Sequence, residues 1–393
     1  MQPAVTLHAA SLARIAATIF FVINGFTLGI WVVHIPDIQE RTGVDKPMLG
    51  NLLLLFGGVA LIGMQVGGRL VDRYGSRFPV LLGAAGISVS LLGPALADST
   101  LTLAAALAVL GFFNGIIDVS QNAQAVEVER VYGRPILSSF HAFFSLGGLL
   151  AAVLGGALIA SGLDIRATMA IAGLLSLTGA LAARPSLLRR SRRLAAATAG
   201  PKVRPPWSAR VLLLGLLAFA LMLSEGVAYD WSTVHLHDSL GASKATAAWA
   251  FGAFSAAMTI VRLLADRIVE RVGSATYVQA AAMVGAAGLA TASLAPTVWV
   301  ALAGWTIFGI GVAGCVPQFF SAAGNIDPRH AGTYLARAAG FGYVGLLAGP
   351  ATIGILTRWV SLPTAFWLPI AGCLAAALLA PKALHRAAPW GGV

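Results

Sequence analysis

The chain has 393 residues, of which 58% are apolar and only 10% charged. Soluble domains carry about 25% charged residues, so an ordinary water-facing surface is excluded. The formal net charge of +11 raises the question of nucleic acid, which the placement of the basic residues answers below.

Twelve apolar runs follow in order: 15–35, 48–68, 78–97, 101–123, 138–161, 165–183, 211–234, 246–265, 276–295, 297–320, 333–357 and 362–380. Each approaches the roughly 20 residues a helix needs to cross a bilayer. The first is too long for the core of a signal peptide and runs into Ile35-Pro36-Asp37 rather than a small-residue cleavage site, so it reads as a retained helix. Most connections are short and leave no room for a soluble catalytic domain. The exception, 184–210, is basic and holds Pro185, Pro201, Pro205 and Pro206. It predicts an N-terminal bundle (1–183), a cytoplasmic linker (184–210) and a C-terminal bundle (211–393). The expected fold class is all-α integral membrane, twelve transmembrane helices in two pseudo-symmetric six-helix bundles. The 45 glycines suit closely approaching membrane helices. The two cysteines, Cys315 and Cys373, lie inside apolar runs and read as packing residues, with no disulfide, metal or cofactor implied.

With the N-terminus in the cytoplasm, 21 of the 26 Lys and Arg fall on that side, Arg262 and the run Arg189 to Arg193 among them. Arg41, Lys46, Arg166, Lys244 and Arg358 fall on the other. This asymmetry orients the chain with both termini inside. It also accounts for the basic balance without nucleic acid, and contact with anionic lipid headgroups is the expected use of the linker charges.

The halves repeat. Leu70-Val71-Asp72-Arg73 after the second run recurs as Leu264-Ala265-Asp266-Arg267 after the eighth, 194 residues on. Gly148-Leu149-Leu150-Ala151 recurs as Gly345-Leu346-Leu347-Ala348 at a nearly equal offset. Duplicated membrane bundles point to a transporter. The stretch Gly68-Arg69-Leu70-Val71-Asp72-Arg73-Tyr74-Gly75-Ser76-Arg77 closely resembles the signature loop of the major facilitator superfamily. That resemblance covers nearly the whole chain. It implies that Gly68, Asp72, Arg73, Gly75 and Arg77, with the second copy Asp266 and Arg267, form a cytoplasmic latch. Asp72 would face the start of span eleven, and Asp266 the start of span five near Ser138 and Ser139, since exposed N–H groups at a helix start favour a carboxylate. A narrower resemblance, to a fucose-permease-like bacterial branch, rests on Asp118 and Asn122 in span four, Ser139-Phe140-His141 in span five and the segment Glu225 to Ser232 in span seven. Val32 stands where that permease carries an acid before its Ile-Pro pair, so its coupling scheme does not transfer whole. Span four also lacks the Arg of proton-driven drug antiporters.

Ionisable groups inside a membrane are expensive, about 2.5–3.5 kcal/mol at a helix centre on insertion scales. Glu225 is the clearest, with no charge within four residues and Tyr229 one turn on. It reads as a proton or substrate acid, against the plainer reading of a structural hydrogen bond. Asn114, Asp118 and Asn122 share one face of span four and suit a hydroxyl-rich ligand or an interhelical seam. Asn24 in span one joins them as a cavity candidate. His141 is either a proton shuttle or a packing residue. Trp31 and Trp231 read first as interface anchors. Gln318, at the end of span ten, is an outside candidate, and Tyr343 in span eleven is expected to bond across the halves. Gly309-Ile310-Gly311-Val312-Ala313-Gly314 spells a dinucleotide fingerprint inside a membrane span and reads as a packing face. His235-Leu236-His237 reads as an ordinary solvated loop rather than a metal site. The expectation is a monomeric, proton-coupled permease of the bacterial inner membrane for a small polar solute. An exporter of a metabolite or toxic compound is the alternative, and an intramembrane enzyme or sensor a remote one.

Overall fold

The structure, a computed structural model, describes residues 7–132, 136–188, 206–326 and 331–384. Among these there are sixteen α-helices: α1 (Leu7–Val33), α2 (Ile35–Thr42), α3 (Lys46–Tyr74), α4 (Arg77–Ser90), α5 (Leu92–Leu96), α6 (Thr100–Tyr132), α7 (Leu137–Ala160), α8 (Ile165–Ala183), α9 (Ala209–Val234), α10 (Lys244–Val272), α11 (Ser274–Ser293), α12 (Val298–Val312), α13 (Cys315–Gly324), α14 (Ala331–Leu356), α15 (Leu362–Ala365) and α16 (Trp367–Leu384). Every run expected to span the membrane falls on one helix or on two in series. Eleven spans are long and apolar enough to cross. The remaining run is α11, whose Gln279, Tyr277 and small residues lower its hydropathy.

Local signals start and stop these helices. Asp45, Asp164, Ser208, Ser243 and Thr297 each accept from a backbone N–H in the first turn that follows. Gly75 (φ 80°) ends α3 and Gly273 (φ 81°) ends α10, their N–H groups donating to Val71 O and Val269 O at 2.8 Å. Positive φ is cheap only for glycine. The caps repeat at 198 residues, one helical turn from the 194 of the tetrads, so the backbone sets Asp72 against Glu270 and Gly68 against Asp266.

One expectation is corrected. Span ten is not one helix: Gly314 (φ 74°) separates α12 from α13, and Tyr277 Oη donates to the freed Ala313 O at 2.6 Å. The chain after span one forms the short helix α2, opened by Pro36. Residues 189–205 of the expected linker, with its run of arginines, lie outside the described residues.

In the first half α1 packs on α7 and α3 on α6; in the second α9 packs on α14 and α10 on α12. The halves meet along two seams, α7 with α10 and α3 with α14. The two ends of the α3–α14 seam differ. At the end away from the termini, here called distal, a Cβ added to Gly50 would lie 2.7 Å from Gly354 Cα. Next along, a Cβ on Gly57 would lie 2.9 Å from Leu347. At the proximal end Gly68 and Gly340 have nothing within 4 Å. The halves are pressed together distally and parted proximally.

Candidate functional site

Glu225 lies on α9 and Tyr229 one turn further on, so both point to the same side. Tyr229 Oη donates to Glu225 Oε1 at 3.1 Å. Arg262 reaches in from α10, and its Nη2 donates to the same oxygen at 2.7 Å. Its Nη1 donates to Ser145 Oγ at 2.9 Å, on α7 of the other half. The Glu225 and Arg262 side chains are only 10% and 18% exposed. A charge so placed is tolerated when it is paired and hydrogen-bonded, and strongly destabilising when its partner is removed. Aromatic rings wall the pair. The Tyr229 ring has its centroid 6.2 Å from Phe144, 5.8 Å from Phe251 and 5.7 Å from Phe254. His141 lies one turn before Ser145, its ring edge-on to Phe21 at 5.3 Å.

A second polar group lies on α6. Asn122 Nδ2 donates to Asp118 O at 2.8 Å and approaches Asp118 Oδ1 at 3.5 Å. Tyr343 of α14 is within electrostatic reach of Asp118, again across the halves. Asn24 Oδ1 and Asn114 Oδ1 are buried without a hydrogen-bond partner among the described residues. No bond joins Asn24 or Asn114 to the Glu225 group or to Asp118. Gln318 Nε2 reaches Gly314 O at 3.5 Å, beside the break in span ten.

Arg262 is the residue that the sequence reading misplaced. It was counted with the charges outside the membrane, but it sits within α10 and turns inward. The basic asymmetry survives its removal. A signal was present: at the 198-residue spacing of the Gly75 and Gly273 caps Arg262 stands where the first copy has Met64, so it is a charge the repeat does not require. Trp31 and Trp231 are also corrected. Both are buried rather than anchored at an interface. Trp231 Nε1 donates to Pro350 O at 3.0 Å, and Trp31 bonds Asp230 across the halves.

Asp72 lies on the last turn of α3 and Asp266 on α10; both are exposed, and neither has a hydrogen bond or ion pair among the described residues. Arg73 stacks on Tyr74, its guanidinium 5.2 Å from the ring. Arg77 Nη2 donates to Arg184 O at 3.1 Å, tying α4 to the end of α8. Arg267 makes no bond or ion pair among the described residues. The side chains of Ser138 and of the first residues of α14 lie outside the described residues.

The distal end carries charges that the sequence did not mark as a group. Lys244 Nζ donates to Asp37 Oδ1 and Glu40 Oε2, both at 2.6 Å, and Lys46 Nζ lies 2.7 Å from Asp238 Oδ2. Each pair joins one half to the other. Below them Thr233 Oγ1 donates to Val32 O at 3.1 Å. The pair His235 and His237 is no plain solvated loop. His235 is buried, accepting from Trp305 Nε1 at 3.3 Å, and His237 faces Glu40.

The sequence pattern of the Major Facilitator Superfamily matches residues 15–234 and again 214–392. The chain belongs to the major facilitator superfamily. Two bacterial relatives of this superfamily chain are similar along nearly their whole length. An uncharacterized MFS-type transporter of Yersinia pestis is 35% identical, covering 95% of each chain. An uncharacterized transporter of Sinorhizobium fredii is 36% identical over 92% of this chain and 95% of its own. A D-xylose-proton symporter shares the fold at a TM-score of 0.75 with 16% identity, covering 96% of this chain and 98% of its own. A nucleoside transporter does so at 0.74 with 12% identity, covering 94% and 99%. The chain is a multi-pass membrane protein of two six-helix bundles, and membrane transport is the function its family supports.

Proposed function

We propose that the chain is a secondary active transporter of the bacterial inner membrane that moves a small, hydroxylated polar solute with protons. The observation that carries this is the intramembrane pair of Glu225 and Arg262, with Arg262 also held by Ser145 of the opposite half. A proton on Glu225 cancels its charge and leaves the guanidinium uncompensated. Arg262 would then have reason to change partners, either to a solute oxygen or more fully to the other half. Proton occupancy would thus be linked to how the halves are joined, the requirement of alternating access. Tyr229 would orient the Glu225 carboxyl. Asp118, Asn122 and Asn114, with Asn24, would offer donors and acceptors to hydroxyls from α6 and α1, and His141 would sit beside the proton path.

The orientation proposed places both termini in the cytoplasm, as the basic asymmetry requires. The distal end is then the outer face, closed by its cross-half ion pairs, and the proximal end is the cytoplasmic face. Asp72 and Asp266 would bond the starts of α14 and α7 only when that face closes, with Gly68, Gly75, Arg73, Arg77 and Arg267 shaping the latch. The open space beside Gly68 and Gly340 supports this as the latch in its open position. The unit proposed is a monomer, needing no cofactor.

The test begins with melting of the purified chain against sugars, polyols, sugar acids and amphipathic amines, since a bound ligand raises the melting temperature by mass action. A hydroxylated hit then serves as cargo in liposomes under an imposed pH gradient. Glu225→Gln should lose gradient-driven accumulation while retaining solute exchange. Full accumulation in Glu225→Gln would overturn the coupling, and hits confined to amphipathic amines would favour an exporter.

A further inference from the structure

We propose that His237 is a proton-binding site separate from Glu225, and that its imidazolium clasps the two halves at the distal end. The argument is one of donors and acceptors. His237 Nδ1 lies 2.8 Å from Ala242 O. A carbonyl only accepts, so this nitrogen carries the hydrogen. The neutral ring then has a bare lone pair on Nε2. That atom faces Glu40 Oε1 at 3.3 Å, across the seam from α2. Glu40 is held as a carboxylate by Lys244 on its other oxygen at 2.6 Å. Two acceptors facing each other repel. A second proton on His237 turns the same geometry into a charge-assisted bond. Among the described distal histidines, His237 is the one whose ring nitrogen faces a carboxylate of the opposite half.

The neighbours do not supply that function. On α2 and its cap, Asp37 is occupied by His34 and Lys244, and Arg41 is turned onto Ala95 O. On α3, Asp45 caps its own helix and Lys46 holds Asp238. His235 is buried against Trp305, and Asp230 deeper on α9 bonds Trp31. α15 brings no charged residue to the turn. His34 uses Nδ1 on Asp37 within its own half, so its proton does not join the halves.

That these protons arrive from outside the cell rests on the orientation proposed above; the clasp itself does not. Acidification would therefore favour the distally closed arrangement. His237 and Glu40 are 23% and 58% exposed, so water screens the pair. An exposed ion pair of this kind should shift the closed-to-open ratio by about 1.4- to 5-fold.

The experiment uses the full chain in lipid nanodiscs with spin labels at Leu163→Cys and Leu294→Cys, exposed distal-end positions in opposite halves. Distances are read from about pH 8 to about pH 6. The short-distance population should rise by that factor on acidification. His237→Asn should abolish the rise, because the amide keeps a donor for Ala242 O but cannot take a proton. Glu40→Gln, a change at an exposed side chain, should do the same, and both should melt like the parent chain. Glu225→Gln should keep the rise. A flat response in the parent chain, a response surviving in His237→Asn or Glu40→Gln, or one lost only in Glu225→Gln would overturn the proposal. A chain whose transport needs no proton but whose distances still respond through His237 loses the coupling reading and keeps this one.

Discussion

The unequal ends of the α3–α14 seam make a paired prediction with opposite signs. A Cβ on Gly354 meets the backbone of Gly50 and Lys46 O, 2.9 Å away, rather than a side chain that can rotate aside. Overpacking of this kind costs about 1–3 kcal/mol. That cost falls on the distally closed arrangement alone, so Gly354→Ala should lower the closed-to-open ratio by about 5- to 150-fold. Gly340 sits on the same helix with nothing within 4 Å. Extending the register of Gly50 with Gly354 and Gly57 with Leu347 brings Gly340 opposite Met64 once the proximal end closes. Gly340→Leu should therefore be harmless in the present arrangement and obstruct the alternative. The assay is the distance between labels at Leu163→Cys and Leu294→Cys, with melting as the folding control. Gly354→Ala should broaden the distribution toward long distances and Gly340→Leu should sharpen it at short ones. Unchanged distributions in both variants would refute the reading of this seam as one that opens alternately at its two ends.

Other consequences are direct. Arg262→Gln leaves Glu225 buried without its cation and should destabilise the chain by up to about 3–5 kcal/mol in melting or denaturant assays, with much of the loss recovered by adding Glu225→Gln. At the distal end, burial pushes the Asp37 carboxyl up but hydrogen bonds from His34 and Lys244 outweigh it, and Lys244, against burial and with help from His237, holds Glu40 low. Carboxyls lowered in the closed arrangement contribute fully above their ordinary range near pH 4 and lose that contribution as pH falls through the lowered values. The label distances should therefore lengthen below about pH 4, and Lys244→Gln should remove most of that response. Asp72→Asn should leave melting little changed, since the carboxylate is exposed, yet slow transport by weakening the closed cytoplasmic face. Normal transport in Asp72→Asn would remove the latch.

The spans and the duplication were legible because each is local: apolar length and a repeated tetrad. The break at Gly314 was hidden by its surroundings. Gly309 to Gly314 reads as helix-packing glycine, and what distinguishes the last member is a tertiary contact, Tyr277 Oη on Ala313 O. Trp31 and Trp231 followed a membrane-interface rule that assumes a lipid-facing side chain. Their actual neighbours, Asp230 and Pro350 O, come from other helices. The Glu225 and Tyr229 stripe was readable because it lies within one helix. Its partner Arg262 comes from the next helix, 37 residues on, and the charge count had placed that residue elsewhere.

This contrast suggests how such a chain divides its sequence between fold and function. What the two copies share, Lys46 with Lys244 and Gly75 with Gly273, builds the frame and repeats its geometry. What they do not share gathers at the seams. At the 198-residue spacing of the helix caps, Arg262 falls where the first copy has Met64 and Glu225 where it has Thr27. The distal lock, by contrast, is reciprocal: Asp37 and Glu40 of the first half hold Lys244 of the second, and Asp238 of the second holds Lys46 of the first. A symmetric pair of bundles could open at either end with equal ease and would bind nothing in particular between them. Placing Arg262 between Glu225 of its own half and Ser145 of the other would let a proton on Glu225 change how the halves are joined. Departures from the repeat at inward-facing positions are accordingly where mutagenesis should begin, ahead of the residues the halves have in common.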